Sequence, residues 1–85
     1  MKKNEAPCIK EAVNIQKKKG GILYILGKFP STKYWHVVVR KNNKYHDASG
    51  SKTLVQLKKK YPSMPLRKAT NRDLTYIKKY GKVKI

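Results

Sequence analysis

The sequence predicts an α+β domain: a small antiparallel sheet with an N-terminal helix packed on it, followed by two further helices. Three observations predict it. A stretch with helical apolar spacing comes first and ends at Gly20-Gly21. Two runs rich in β-branched and aromatic residues then flank Asn42-Asn43. After them helical spacing returns twice, stopped once by Pro62 and once by Gly81.

The first helix spans Pro7 to Lys19. Proline suits the first helical turn, where its missing amide is not needed, and the glycine pair supplies a left-handed stop. Ile9, Ala12, Val13 and Gln16 share one side, with Cys8 and Ile15 beside it. Lys17-Lys18-Lys19 complements the negative end of the helix dipole. Ile22-Leu23-Tyr24-Ile25-Leu26 is too short for a buried helix and reads as a central strand. Gly27 to Thr32, with Pro30, is a loop. Tyr34 to Arg40 is the strongest strand signal. Lys41-Asn42-Asn43-Lys44 turns it back into Tyr45-His46-Asp47-Ala48, since asparagine tolerates positive φ. After Ser49-Gly50-Ser51 a short helix runs from Thr53 to Tyr61, with Leu54, Val55, Leu57 and Lys58 at helical spacing, until Pro62 ends it. Ser63 to Ala69 is irregular or an edge strand. Thr70-Asn71-Arg72-Asp73 resembles a capping box with aspartate in place of Glu or Gln. Leu74, Ile77 and Tyr80 then lie on one face, and Lys82 to Ile85 adds an edge strand.

Eighty-five residues make one domain, 1–85, because a second could not bury a core of its own. The chain is polar, with 39% hydrophobic residues and a mean hydropathy of −0.76, but its apolar residues come in runs, which argues against wholesale disorder. Charge is the outlier. Twenty-two Lys and Arg against four Asp and Glu give +18, so most cations are solvated or meet an external anion. No run approaches the ~20 apolar residues of a membrane span, so no membrane partner is expected. Met1-Lys2-Lys3 is followed by no apolar segment of a secretory signal. One cysteine excludes an internal disulfide or a multi-cysteine zinc site and fits a reduced, intracellular setting. A Cys-His-His metal site is arithmetically available, with no spacing to support it.

Cys8, His36 and Asp47 carry the candidate chemistry. With Asn42 and Asn43 as the loop, cross-strand partners have numbers that sum to 85, so Val38 faces Asp47 and His36 faces Ser49. Period-2 alternation puts His36, Val38 and Arg40 on the face shared by Tyr45, Asp47 and Ser49, with His46 pointing the other way. Asp47 becomes a diagonal neighbour of His36, within hydrogen-bond reach of its ring. Cys8, at a helix start, meets unpaired amides and a dipole that favour an anion, and an adjacent imidazolium would lower its pKa further. A nucleophile, a base and an orienting acceptor suffice for acyl transfer through an acyl-enzyme without metal or cofactor, and the Cys8 amide is a candidate oxyanion donor.

In order and spacing, Cys8 at a helix start, His36-Val37-Val38-Val39-Arg40 and Lys44-Tyr45-His46-Asp47-Ala48 resemble the papain-like and transglutaminase-core superfamily. The resemblance covers Pro7 to Gly50. It implies a minimal papain-like arrangement and a cysteine-dependent hydrolase or acyl transferase, with Cys8 as nucleophile, His36 as general base and then acid, and Asp47 as orienter. Two departures stand out: His36 comes only 28 positions after Cys8, and no glutamine precedes Cys8 to supply the usual side-chain oxyanion donor.

Each residue also has a plainer reading: Cys8 as a small buried side chain, His36 as a satisfied strand histidine, Asp47 as a turn residue. A rival function comes from charge. Lysines are spread along the whole chain among six Tyr and one Trp, which suits a non-enzymatic nucleic-acid-binding protein held by phosphate attraction. No RNP, KH, zinc-finger or helix-turn-helix pattern accompanies them. Tyr24, Trp35 and Tyr76 read as core rather than as stacking platforms. A small basic inhibitor or adaptor on an acidic protein surface is the third class.

Overall fold

The helix that opens the described chain runs over Pro7–Lys19 (α1), as its spacing predicts; the structure, a computed structural model, describes residues 7–29 and 35–81. Then follow β1 (Ile22–Gly27), β2 (Trp35–Lys41), β3 (Lys44–Asp47), β4 (Gly50–Lys52), α2 (Leu54–Lys60), β5 (Leu66–Lys68) and α3 (Asn71–Gly81). All neighbours in the sheet pair antiparallel, in the order β4-β3-β2-β1-β5. The class is α+β, with α1 packed on the sheet. Tyr34, the loop through Pro30–Thr32 and the edge strand expected over Lys82–Ile85 lie outside the described residues.

The central hairpin has the predicted register. Val39 pairs with His46, Arg40 with Tyr45 and Lys41 with Lys44, each pair summing to 85. Asn42 and Asn43 take φ of 54° and 63°, the two left-handed residues that match a two-residue turn to the twist of its strands. The sheet has five strands where the sequence suggests three. Gly50–Lys52, read as loop, pairs back onto β3 across a second tight turn at Ala48-Ser49. Its polar sequence carries no strand signal, so the pairing is decided by β3 offering an edge. Leu66–Lys68 takes the edge-strand option, beside β1.

Alternation along the strands divides the core in two. Leu23, Ile25, Val37 and Val39 point to the α1 side and pack with Ile9, Ala12, Val13, Phe29 and Ile77. Leu26, Val38 and Tyr45 point the other way and meet Leu57 of α2, with Tyr24, Tyr61, Met64 and Leu66 around them. Trp35 and Tyr76 border the first cluster and Tyr24 the second, as side chains of the core. Apolar burial is worth roughly 25 cal/mol per Å2, and α2 supplies little of it. Leu57 is its single fully buried residue, whereas Leu54 and Val55 are exposed.

Caps fix the helices that packing holds weakly. Thr53 and Gln56 form a reciprocal capping box on α2, a Thr-x-x-Gln signature the reading of that segment missed. On α3 the predicted box is present: the Thr70 amide donates to Asp73 at 2.8 Å, and the Asp73 amide donates to the Thr70 hydroxyl at 3.2 Å. Asp73 also receives the Arg67 guanidinium through both oxygens, and that guanidinium reaches the Phe29 carbonyl. One buried carboxylate thus ties β5 to the start of α3 and to the end of β1. Among the described residues, no helix is long and apolar enough to cross a membrane.

Candidate active site

The site forms where the β2–β3 ladder stops. Its last pair is Val39 with His46, and below that point β2 continues without β3 at its side. The Val37 amide, on the side where the ladder would continue, instead faces the Cys8 sulfur, together with the amides of Cys8 and Ile9 at the start of α1. Cys8 is free and half-buried. On the opposite face of β2, His36 leans toward Asp47, and its Nε2 lies 2.9 Å from Asp47 Oδ2. Cys8, His36 and Asp47, with Glu11, Ala48, Ser49, Lys60 and Tyr61, line one cleft of about 360 Å3. All three residues singled out in the sequence therefore line one cleft, and two of them, His36 and Asp47, are in direct contact. His46 points away, as alternation requires, and lines a second cleft with Ile15 and Lys19.

Asp47 is the best-held group of the three. Ser49 donates to Oδ1 from its amide (2.9 Å) and its hydroxyl (2.7 Å), and Lys52 approaches the same oxygen at 3.4 Å. Lys52 also donates to the Ser49 hydroxyl at 2.7 Å. Contrary to the expected pairing of His36 with Ser49, β3 ends at Asp47, and Ser49 occupies the turn that wraps the carboxylate. Burial disfavours the charged carboxylate, yet the hydrogen bonds from His36 and Ser49 and the Lys52 charge outweigh it and lower the Asp47 pKa to about 2. An ionised acceptor at Nε2 fixes the neutral His36 tautomer: Nε2 carries the proton, and Nδ1 keeps a free lone pair.

A group with a depressed folded-state pKa stabilises the fold above its unfolded pKa and loses that contribution as pH falls toward the folded value. Between about pH 5 and pH 2 the wild type should therefore lose on the order of 2 kcal/mol that an Asp47→Asn variant does not lose. Urea unfolding at stepped pH reads this, and identical slopes in the two proteins would contradict it.

The thiol departs from expectation. Its amide contacts favour the thiolate, but burial outweighs them, and the nearby negative charge of Asp47 adds to burial, so the Cys8 pKa is raised rather than lowered. The resting group is a thiol, not half of a preformed thiolate–imidazolium pair. Iodoacetamide alkylation of Cys8 should accordingly be slow at pH 7 and keep climbing past the pH at which an unfolded control levels off. A plateau below that of the control would show the opposite shift.

Tyr61 is the member with no sequence signal. It caps α2 just before Pro62, and its ring stacks on His36 with centroids 5.4 Å apart and planes inclined at 29°. Burial, then the charge of Asp47 and, once the thiol has ionised, that of Cys8 push its hydroxyl pKa up. The Lys60 ammonium lies 5.7 Å from the centroid of the Tyr61 ring. Stacking holds the imidazole plane while Asp47 holds its Nε2, leaving few orientations to the base. Ser49 does carry a sequence signal, since an Asp-x-Ser step is a common turn around a carboxylate. Among the described residues, no cluster of His, Cys, Asp and Glu is suited to hold a metal ion.

Compared with protein-family models, curated proteins and solved structures, the chain has no match in any of the three.

Proposed function

We propose that the protein is a cysteine-dependent hydrolase or acyl transferase of the papain-like type in miniature, acting on an amide, ester or thioester. The observation that carries the proposal is the meeting of Cys8, His36 and Asp47 in one cleft, with the 2.9 Å His36–Asp47 hydrogen bond already formed. Because the thiol rests protonated, His36 Nδ1 takes its proton as sulfur attacks the carbonyl carbon. A C–S bond forms, and the carbonyl electron pair moves to oxygen. When the tetrahedral intermediate collapses, the C–N, C–O or C–S bond to the leaving group breaks, and His36 returns the proton to that group. Water or an amine, deprotonated by His36, then attacks the acyl carbon, the C–S bond to Cys8 breaks to release the acyl group, and His36 returns the proton to the sulfur. Asp47 stays ionised throughout and stabilises the imidazolium that forms between the steps.

Three backbone amides face the sulfur, which makes them the candidate donors to the oxyanion that develops on the carbon it attacks. They supply in main chain what a glutamine before Cys8 would supply in side chain. The test is acyl-enzyme capture. After brief mixing with p-nitrophenyl acetate and an acid quench, intact mass and peptide mapping should place one acetyl group on Cys8. A Cys8→Ala protein should carry none and release no burst of p-nitrophenol. An acetyl group found only on lysines, equally in both proteins, would overturn the proposal.

A further inference from the structure

We propose that Glu11 determines specificity, its carboxylate holding a protonated amine of the substrate beside the carbonyl that Cys8 attacks. The inference rests on the hydrolytic reading of Cys8, His36 and Asp47 and names the class of substrate that site takes.

Acidic residues are scarce in this chain: Glu5, Glu11, Asp47 and Asp73 are all there are. Asp47 is taken by His36, Ser49 and Lys52, and Asp73 by Arg67 and Thr70. Glu11 is exposed and, among the described residues, has no hydrogen bond and no ion pair. In a chain of +18 that is not for want of cations. The helix surface offers none, because the positions three and four residues away are Pro7, Cys8, Asn14 and Ile15.

Its place gives the free carboxylate a use. Glu11 follows Cys8 by three residues of α1, a rise of about 4.5 Å on the same helical face. It borders both the Cys8 cleft and the second one of about 350 Å3, and with Asp47 and Ala48 it forms the ridge they share. Of the two carboxylates on that ridge, Asp47 is already neutralised locally, so a cationic group crossing from one cleft to the other finds its counter-charge at Glu11. Lys60 on the Tyr61 wall and Lys19 at the far end of the second cleft repel a cation, which leaves the Glu11 position as its seat. The general field of the protein disfavours cationic ligands, so a local inversion beside the nucleophile discriminates by charge and by position. An amine of this kind is either a free α-amino group or a lysine side chain.

Paired p-nitrophenyl esters separate these sources: N-acetyl-lysine against N-acetyl-norleucine, and alanyl-alanine with a free against an acetylated N-terminus. Acylation of Cys8 by at least one cationic ester should exceed that by its neutral partner about fivefold, the scale of an exposed ion pair. The ratio should fall to about one in Glu11→Gln and below one in Glu11→Lys. No preference in the wild type, or a preference that survives Glu11→Gln, overturns the assignment. Should no ester acylate Cys8, the hydrolytic reading fails on its own. Glu11 is then read by thiol modification alone, as the rate ratio of aminoethyl to sulfonatoethyl methanethiosulfonate at Cys8. A several-fold drop of that ratio in Glu11→Gln supports a cation seat at Glu11, and an unchanged ratio excludes it.

Discussion

Replacing His36 with alanine should slow acylation of Cys8 by p-nitrophenyl acetate at pH 7 by about a thousandfold, within the range for loss of a positioned general base. The size follows from the state of the thiol. Burial raises the Cys8 pKa, so at neutral pH almost no thiolate exists without a group to receive the proton. In the proposed mechanism His36 is that group, with its Nε2 committed to Asp47 and its ring plane held by Tyr61. The defect should be pH-dependent in a definite direction. As pH rises through the thiol pKa, hydroxide removes the proton instead, and the variant should recover toward the wild-type rate. A preformed thiolate would behave otherwise, since the variant would then lag by a smaller factor that stays constant above neutrality. Stopped-flow release of p-nitrophenol from pH 6 to 11 distinguishes the two. Equal rates for wild type and variant at pH 7 would remove His36 from the chemistry.

The second large effect is on the fold that brings these residues together. Gly21→Ala should cost about 4 kcal/mol or prevent folding, while Gly20→Ala, one residue earlier, should cost about 1 kcal/mol. Both glycines have positive φ, 81° at Gly20 and 104° at Gly21. Around Gly20 a methyl group would meet nothing within 4 Å, so only the backbone preference is lost. At Gly21 it would lie 2.7 Å from Val39 Cγ1 and 2.8 Å from the Arg40 carbonyl oxygen. That oxygen belongs to β2, whose ladder with β1 cannot shift locally, so α1 and its connection would have to move away from the sheet. The Lys41 ammonium, which caps α1 at the Lys19 carbonyl, crosses the same seam. A domain of this size has only 5–15 kcal/mol of stability, so the difference decides whether the chain folds. Urea unfolding of the two variants checks it, and equal costs would show that the close approach at Gly21 carries no energy.

Much of the site was legible because it is built locally. The distance between His36 and Asp47 depends on one hairpin, and Asn42-Asn43 sets the register of that hairpin through its own backbone preference. Once the register is known, period-2 alternation places the imidazole beside the carboxylate and His46 away from it. The start of α1 was likewise readable from Pro7 and the apolar spacing behind it. Tyr61 and Lys60 were not readable as site residues. They are the C-cap and the last residue of α2, whose one fully buried residue is Leu57, and nothing near them in sequence states which strand that leucine meets. Strand β4 was hidden for a related reason: Gly50-Ser51-Lys52 has no apolar alternation, and its conformation is imposed by the free edge of β3.

The thiol shows the same division within a single side chain. Its position at a helix start, facing backbone amides, followed from sequence, and those amides do favour the thiolate. The sign of the net shift did not follow, because desolvation depends on how much of the protein closes over the sulfur. By itself the sequence determined the helices, the three central strands, the hairpin register and the residue types of the candidate site, all of which arise from short-range backbone sterics and side-chain periodicity. Only the tertiary structure decided that Cys8 faces the Val37 amide where the β2–β3 ladder ends and lines one cleft with His36 and Tyr61, and that Glu11 is left as the free carboxylate on its rim. Those outcomes depend on contacts between distant segments and on the exclusion of water between them.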